Sequence, residues 1–194
     1  MPMTVRDLVQ TGRLTVQRPR EGARMVMNWP FSVGELWFVL ALTAIVSALL
    51  AELLVNQTPD GVDPVLAAMM SSPIWFAAIQ FGGLAFLTLL ILWVGRMFGG
   101  RGSFAGALAL IGWLQTILAV LQVAQIVALF LLPPLALVIS LVSLVLFFWL
   151  LTSFIAELHG FVSLGRTFAG MVGAFFALTL GLSLLLVLVL GMGT

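Results

Sequence analysis

Apolar runs long enough to cross a hydrocarbon core of about 30 Å, which takes roughly 20 helical residues, recur five times along the chain. They read as helices at Leu36 to Val55, Ile74 to Gly95, Phe104 to Leu132, Leu135 to Ala156 and Phe168 to Leu190. The third is about 43 Å long at 1.5 Å per residue, so it must tilt, bend near Gly106 or Gly112, or begin in the interface. The fourth follows Pro133-Pro134, a tight reversal. Ser32-Val33-Gly34-Glu35 has capping-box spacing before the first run, and Ser72-Pro73 places a cap residue before a proline at the first helical position of the second. Asp63-Pro64 is a similar pair and predicts a short helix through Met70 in the preceding loop. Ahead of the spans, Thr4-Val5-Arg6-Asp7 can cap a short helix and Pro19 can open another through Met27.

Composition turns these five runs into membrane spans. The 194 residues are 62% hydrophobic and 8% charged, with mean hydropathy +1.24. A soluble domain carries about a quarter charged residues, and 15 charged side chains cannot supply a polar shell around a core of this size. The expected fold is all-α, a polytopic integral membrane bundle of five transmembrane helices. Residues 1–30 form a basic, amphipathic N-terminal segment and residues 31–194 the membrane domain. No short apolar region with a small-residue cleavage site precedes the first run, which reads as an uncleaved span.

Charge supplies the orientation. All eight basic residues are Arg. Arg6, Arg13, Arg18, Arg20 and Arg24 precede the first span, Arg96 and Arg101 lie between the second and third, and Arg166 between the fourth and fifth. The opposite side has none, so retention of basic residues on the inner side predicts a cytoplasmic N-terminus and an external C-terminus. Arg18, Arg20, Arg24, Arg96, Arg101 and Arg166 are expected at lipid headgroups. Arg18, Arg20 and Arg24, beside Met25, Val26 and Trp29, describe a segment lying on anionic lipid, each Arg contributing about 1 kcal/mol. A tethered, short basic stretch of this kind favours a membrane surface over nucleic acid.

Candidate chemistry is sparse. With no Cys and a single His (His159), a disulfide framework, thiolate chemistry and a Cys/His metal site are excluded, and no cofactor is expected. The spans hold few ionisable groups, which argues against an intramembrane enzyme. Glu52, about 25 Å beyond Glu35 along the first span, is a carboxyl at the outer edge of the hydrocarbon, either snorkelling to headgroups or meeting a cation. Gln115, Gln122 and Gln125 fall within about 80° on the third span and form a polar stripe. Its amides can bond across helices, with Gln80 a candidate partner, or line a solute path; a small transporter or channel is the alternative function. Ala169, Gly173, Ala177 and Gly181 form a small-residue stripe on the fifth span that lets another backbone approach, within the chain or in another copy. Glu157-Leu158-His159-Gly160 lacks the second His of a zinc hydrolase helix, and Phe98-Gly99-Gly100-Arg101-Gly102 lacks the Lys-Ser/Thr ending of a phosphate loop. Gly100-Arg101-Gly102-Ser103-Phe104-Ala105-Gly106 is echoed by Gly165-Arg166-Thr167-Phe168-Ala169-Gly170; the echo reads either as duplicated hairpins or as a vocabulary shared by helix starts.

Three short motifs in order, Pro19 to Arg24, Gly99-Gly100-Arg101-Gly102-Ser103-Phe104, and Glu157-Leu158-His159-Gly160 with Gly165-Arg166, give the chain a resemblance to the bacterial branch of the Yip family, the Ypt-interacting membrane proteins. The likeness extends from about Leu8 to the end of the fifth span. It implies a multi-pass protein of the bacterial inner membrane with no catalytic centre, associating with itself or with other membrane proteins and with lipids in membrane organisation. Eukaryotic relatives bind Rab-type GTPases and carry a long N-terminal domain with its own motif; that domain is not visible in this sequence, and GTPase binding is not carried over.

Overall fold

The computed structural model describes residues 4–57 and 72–191, and it is helical throughout. Two short helices, α1 (Val5–Gln17) and α2 (Pro19–Met27), precede five long ones: α3 (Val33–Gln57), α4 (Pro73–Met97), α5 (Phe104–Leu131), α6 (Pro133–His159) and α7 (Leu164–Gly191). All five long helices are long and apolar enough to cross a membrane. The short helix expected from Asp63-Pro64 lies outside the described residues.

Helix starts follow the local chemistry. Thr4 and Asp7 complete a capping box at α1. At α3 the Glu35 carboxylate accepts from the Ser32 backbone N–H at 2.7 Å while Ser32 Oγ accepts from Glu35 N–H at 3.3 Å. Ser103 Oγ caps α5 by accepting from Gly106 N–H. Pro73 and Pro133 stand in the first turns of α4 and α6, where a missing N–H costs no hydrogen bond. The fifth span begins a turn earlier than Phe168, because Ser163 provides the cap through Arg166 N–H and Thr167 instead donates back to the Ser163 carbonyl. The echo between the third and fifth spans is therefore not one of conformation: Gly100 and Arg101 lie in a loop, whereas Gly165 and Arg166 are already helical.

The 28-residue α5 runs unbroken and is the centre of the bundle, flanked by α3, α4 and α6 and touched by α2. From Gly106 to Leu114 it is buried on every side. Leu36, Leu40, Ala44 and Ala48 of α3 recur every four residues as that helix's buried stripe. The main core joins Leu36, Leu40 and the buried part of α5 to Ala23 and Val26 of α2, Ile91 and Leu92 of α4 and Leu150, Leu151, Phe154 and Leu158 of α6, all towards the end that carries the Arg residues. Towards the other end the large side chains of α5 and α6, such as Phe130, Leu137 and Val145, face outwards and the buried positions are small, Ala119, Ala128 and Ala136. The seventh helix is peripheral and packs against α6.

The two short helices α1 and α2 are thus a packed part of the bundle's end. Gly22 permits the contact of α2 with α1, since a Cβ there would strike the Thr15 backbone and hydroxyl. Thr15 Oγ1 in turn accepts a hydrogen bond from the buried Trp113 indole at 3.0 Å.

Candidate functional site

All three short motifs meet at the Arg-bearing end, and the last turn of α6 is where they join. Gly160, in the left-handed conformation with φ 74°, ends α6, and the chain reverses as Phe161 N–H donates to the Ala156 carbonyl at 2.7 Å. This termination aims Glu157 at α2 and His159 at the α4–α5 loop.

Glu157, its side chain only 15% exposed, accepts hydrogen bonds from the Arg24 guanidinium, and Arg20 Nε lies 4.0 Å from the same carboxylate. The hydrogen bond and charge of Glu157 hold the Arg24 guanidinium even further above its ordinary value. Arg20 also donates to the carbonyls of Phe161 and Val162 beyond the α6 terminus. The arginines of the first motif therefore clamp α2 onto the C-terminal turn of α6, which complements that turn's negative dipole.

The His159 ring is enclosed by glycine. A Cβ placed on Gly95, Gly100 or Gly102 would collide with the imidazole, so the α4 terminus and the following loop can close on the ring only because these positions lack one. Gly99, at φ 82°, turns the chain out of α4 to make that closure. Both ring nitrogens are used: Nδ1 accepts from Gly102 N–H at 3.3 Å and Nε2 lies 3.1 Å from the Ile91 carbonyl. A nitrogen that accepts from an N–H carries no proton, so the ring is the neutral Nε2–H tautomer, donating to Ile91. Phe161 stacks on the imidazole with centroids 5.4 Å apart, and the His159 carbonyl accepts from Arg101 N–H. His159 is a buried linchpin between α4, α5 and α6, with no second titratable ligand beside it; among the described residues no group of His, Cys, Asp or Glu could hold a metal ion.

The remaining sequence candidates fall elsewhere. Arg20 and Arg24, expected at headgroups, instead spend their guanidinium groups on protein, and Arg96 donates to the Gly102 carbonyl at 3.3 Å. Arg18 pairs on the surface with Glu21, while Arg101 and Arg166 are exposed. The glutamine stripe faces neighbouring helices: Gln115 donates to Ser47 Oγ at 3.0 Å, Gln122 to the Ser47 carbonyl at 3.4 Å and Gln125 to Ser140 Oγ at 3.1 Å. Gln80 does not join it, and its Oε1 is buried without a hydrogen-bond partner among the described residues. Glu52 is half-buried near the end of α3 with no hydrogen bond or ion pair among the described residues. An apolar groove of about 380 Å³ lies between Ala41, Ile45 and Leu49 of α3 and Ile74, Ala78 and Phe81 of α4. Ala169, Gly173, Ala177 and Gly181 are exposed together, and a Cβ on Gly173 or Gly181 would meet nothing within 4 Å.

Sequence reasoning did not find Ser47 as the partner of two glutamines, nor the pairing of Glu157 with Arg24. The first left only a hydroxyl among the apolar residues of α3 as its signal. The second left an acid at the end of a span with arginines far away in sequence.

These features define a multi-pass helical membrane protein whose N-terminal helices are locked to the ends of its spans. The chain belongs to the Yip1 domain family: the family model matches residues 13–186, from α1 into the last turns of α7. The family's roles are related to membrane trafficking. No curated protein and no solved structure matches the chain.

Proposed function

We propose that this chain is a non-catalytic scaffold or interaction partner in membrane organisation, of the bacterial branch of the family, and that it associates with a second membrane protein or copy through α7. It resides in an inner membrane with its N-terminus and Arg-bearing end in the cytoplasm, as the arginine distribution favours. The observation that supports the association most is the state of α7. Its contacts with the bundle are made by its first turns, where Thr167 is buried, Phe168 packs edge-on to Phe148 and Met171 reaches the core. The Ala169, Gly173, Ala177, Gly181 face stays open along the helix. In lipid, association relies on close backbone approach and dispersion contacts, and a small-residue face is what permits both.

The competing reading, a solute path along α5, draws no support from the glutamines, whose amides are engaged by Ser47 and Ser140 in helix contacts. Each such bond contributes about 0.6 kcal/mol in a membrane, enough to set register between packed helices. Crosslinking in native membranes tests the proposal: Gly173→Leu and Gly181→Leu are expected to abolish most of the wild-type crosslinked product. Unchanged crosslinks in both variants would remove α7 from the association.

A further inference from the structure

Helix α1 has two faces with different neighbours. Thr11 and Thr15 are buried, Thr11 Oγ1 lying 3.2 Å from Met25 Sδ of α2 and Thr15 taking the Trp113 indole N–H. A Cβ on Gly12 would stand 3.9 Å from the Trp113 ring. Trp113 lines one small pocket with Leu36 and Val39 of α3, so the middle of α1 is held level with the turn where the first span enters the bilayer.

The other face is largely open among the described residues. Val5, Val9 and Val16 are 77%, 67% and 41% exposed, with Leu8 at 38% beside them. At 100° per residue the three valines fall within about 40° of one another. Arg6 and Arg13 form a row within about 20° of each other along one edge of this stripe, and Gln10 and Gln17 follow beyond it. Both arginines are exposed, and among the described residues neither makes a side-chain hydrogen bond or ion pair, unlike Arg20 and Arg24, although the charge of Arg6 is felt by the Asp7 carboxylate. From one side to the other the surface therefore reads apolar, cationic, amide.

We propose that α1 is an in-plane lipid anchor: Val5, Val9 and Val16 enter the acyl boundary of the leaflet, and Arg6 and Arg13 bind phosphate groups of anionic lipids. A leaflet is the occupant because it alone offers an apolar layer bordered by fixed negative charge at the level where Trp113 and α3 hold this helix. The Thr4–Asp7 capping box and the Thr15–Trp113 bond hold α1 helical against the bundle, so the ordering cost that a free amphipathic segment meets at the surface is met within the fold.

The chain has no Cys, so a single introduced thiol reports one position. Val9→Cys and Gln10→Cys variants of the full chain would be placed in nanodiscs of phosphatidylcholine, or of phosphatidylcholine mixed with phosphatidylglycerol, both faces being open to reagent. A water-soluble maleimide is expected to label Val9→Cys on the order of ten-fold more slowly than Gln10→Cys in the anionic discs. A fluorophore at position 9 is expected to be quenched by lipid-borne nitroxide, and Arg6→Gln with Arg13→Gln is expected to remove the gain in protection that phosphatidylglycerol brings. Equal labelling of the two positions, protection without lipid quenching, or protection that vanishes when the protein is diluted to one copy per disc would each overturn the anchor. The last would assign the face to a second copy. Because α7 plays no part in these measurements, their outcome is independent of the association proposed above.

Discussion

His159 and the glycines around it illustrate how one residue's identity depends on several others. The imidazole is held by Gly102 N–H and the Ile91 carbonyl, and its volume is admitted by missing side chains at Gly95, Gly100 and Gly102. Gly95→Ala forces a methyl against a ring that has no room to move, and overpacking of this kind costs about 1–3 kcal/mol. His159→Ala removes the ring but orphans the Gly102 N–H, at a cost of about 1–3 kcal/mol as well. Thermal or denaturant unfolding in detergent is expected to show that Gly95→Ala is much less damaging in a His159→Ala background than in the wild type. Additive losses would mean that the two residues do not share a site. None of this was readable from Glu157-Leu158-His159-Gly160 alone, where a lone His offered only the absence of a metal pattern. The enclosure depends on residues some sixty positions away, whose glycines read as loop vocabulary until the fold brings them together.

Among the elements, α2 differs most from its sequence reading. Its alternation of Arg20 and Arg24 with Met25 and Val26 is that of a helix on lipid, and the same pattern fits a helix on protein equally well. Ala23 and Val26 are buried against α5 and α6, and Glu157 supplies the anion that headgroup phosphates would otherwise provide. Glu157→Ala is expected to free α2 at its α6 end, so that trypsin cleaves after Arg20 or Arg24 several-fold faster than in the wild type, with Glu157→Gln intermediate. Cleavage at the wild-type rate in Glu157→Ala would show that apolar packing alone holds the helix. The helix ends themselves were legible, because caps are local: Thr4 with Asp7, Ser32 with Glu35, and Ser103 all act within three residues. The exception is α7, where Ser163 captured the start ahead of Thr167 and lengthened the helix towards α6.

For the whole molecule, the helices are packed tightly at the Arg-bearing end and sparsely at the other. Polar fixings follow the same gradient: the Glu157 clamp, the His159 enclosure and the Thr15–Trp113 bond all lie at that end. The five-span layout places every Arg there, and the positive-inside rule is the ground on which this end is proposed to be cytoplasmic. Single thiols introduced at Ser163 and at Ser72, which flank opposite ends of the bundle, test this in intact cells. An impermeant maleimide is expected to label Ser72→Cys and to spare Ser163→Cys until the cells are opened, and the reverse pattern would invert the topology.

The sequence by itself determined the class of the protein and the number of its spans. Water and lipid act on each residue largely independently of the rest of the fold, so an apolar run of sufficient length declares itself, and caps act within a turn. Only the tertiary structure decided which polar residues face lipid and which face protein. Arg24 and Arg6 are alike in sequence terms, yet one meets Glu157 and the other stands at the edge of an open apolar stripe. That difference rests on contacts between residues more than a hundred positions apart, which no local pattern of hydrophobicity or charge encodes.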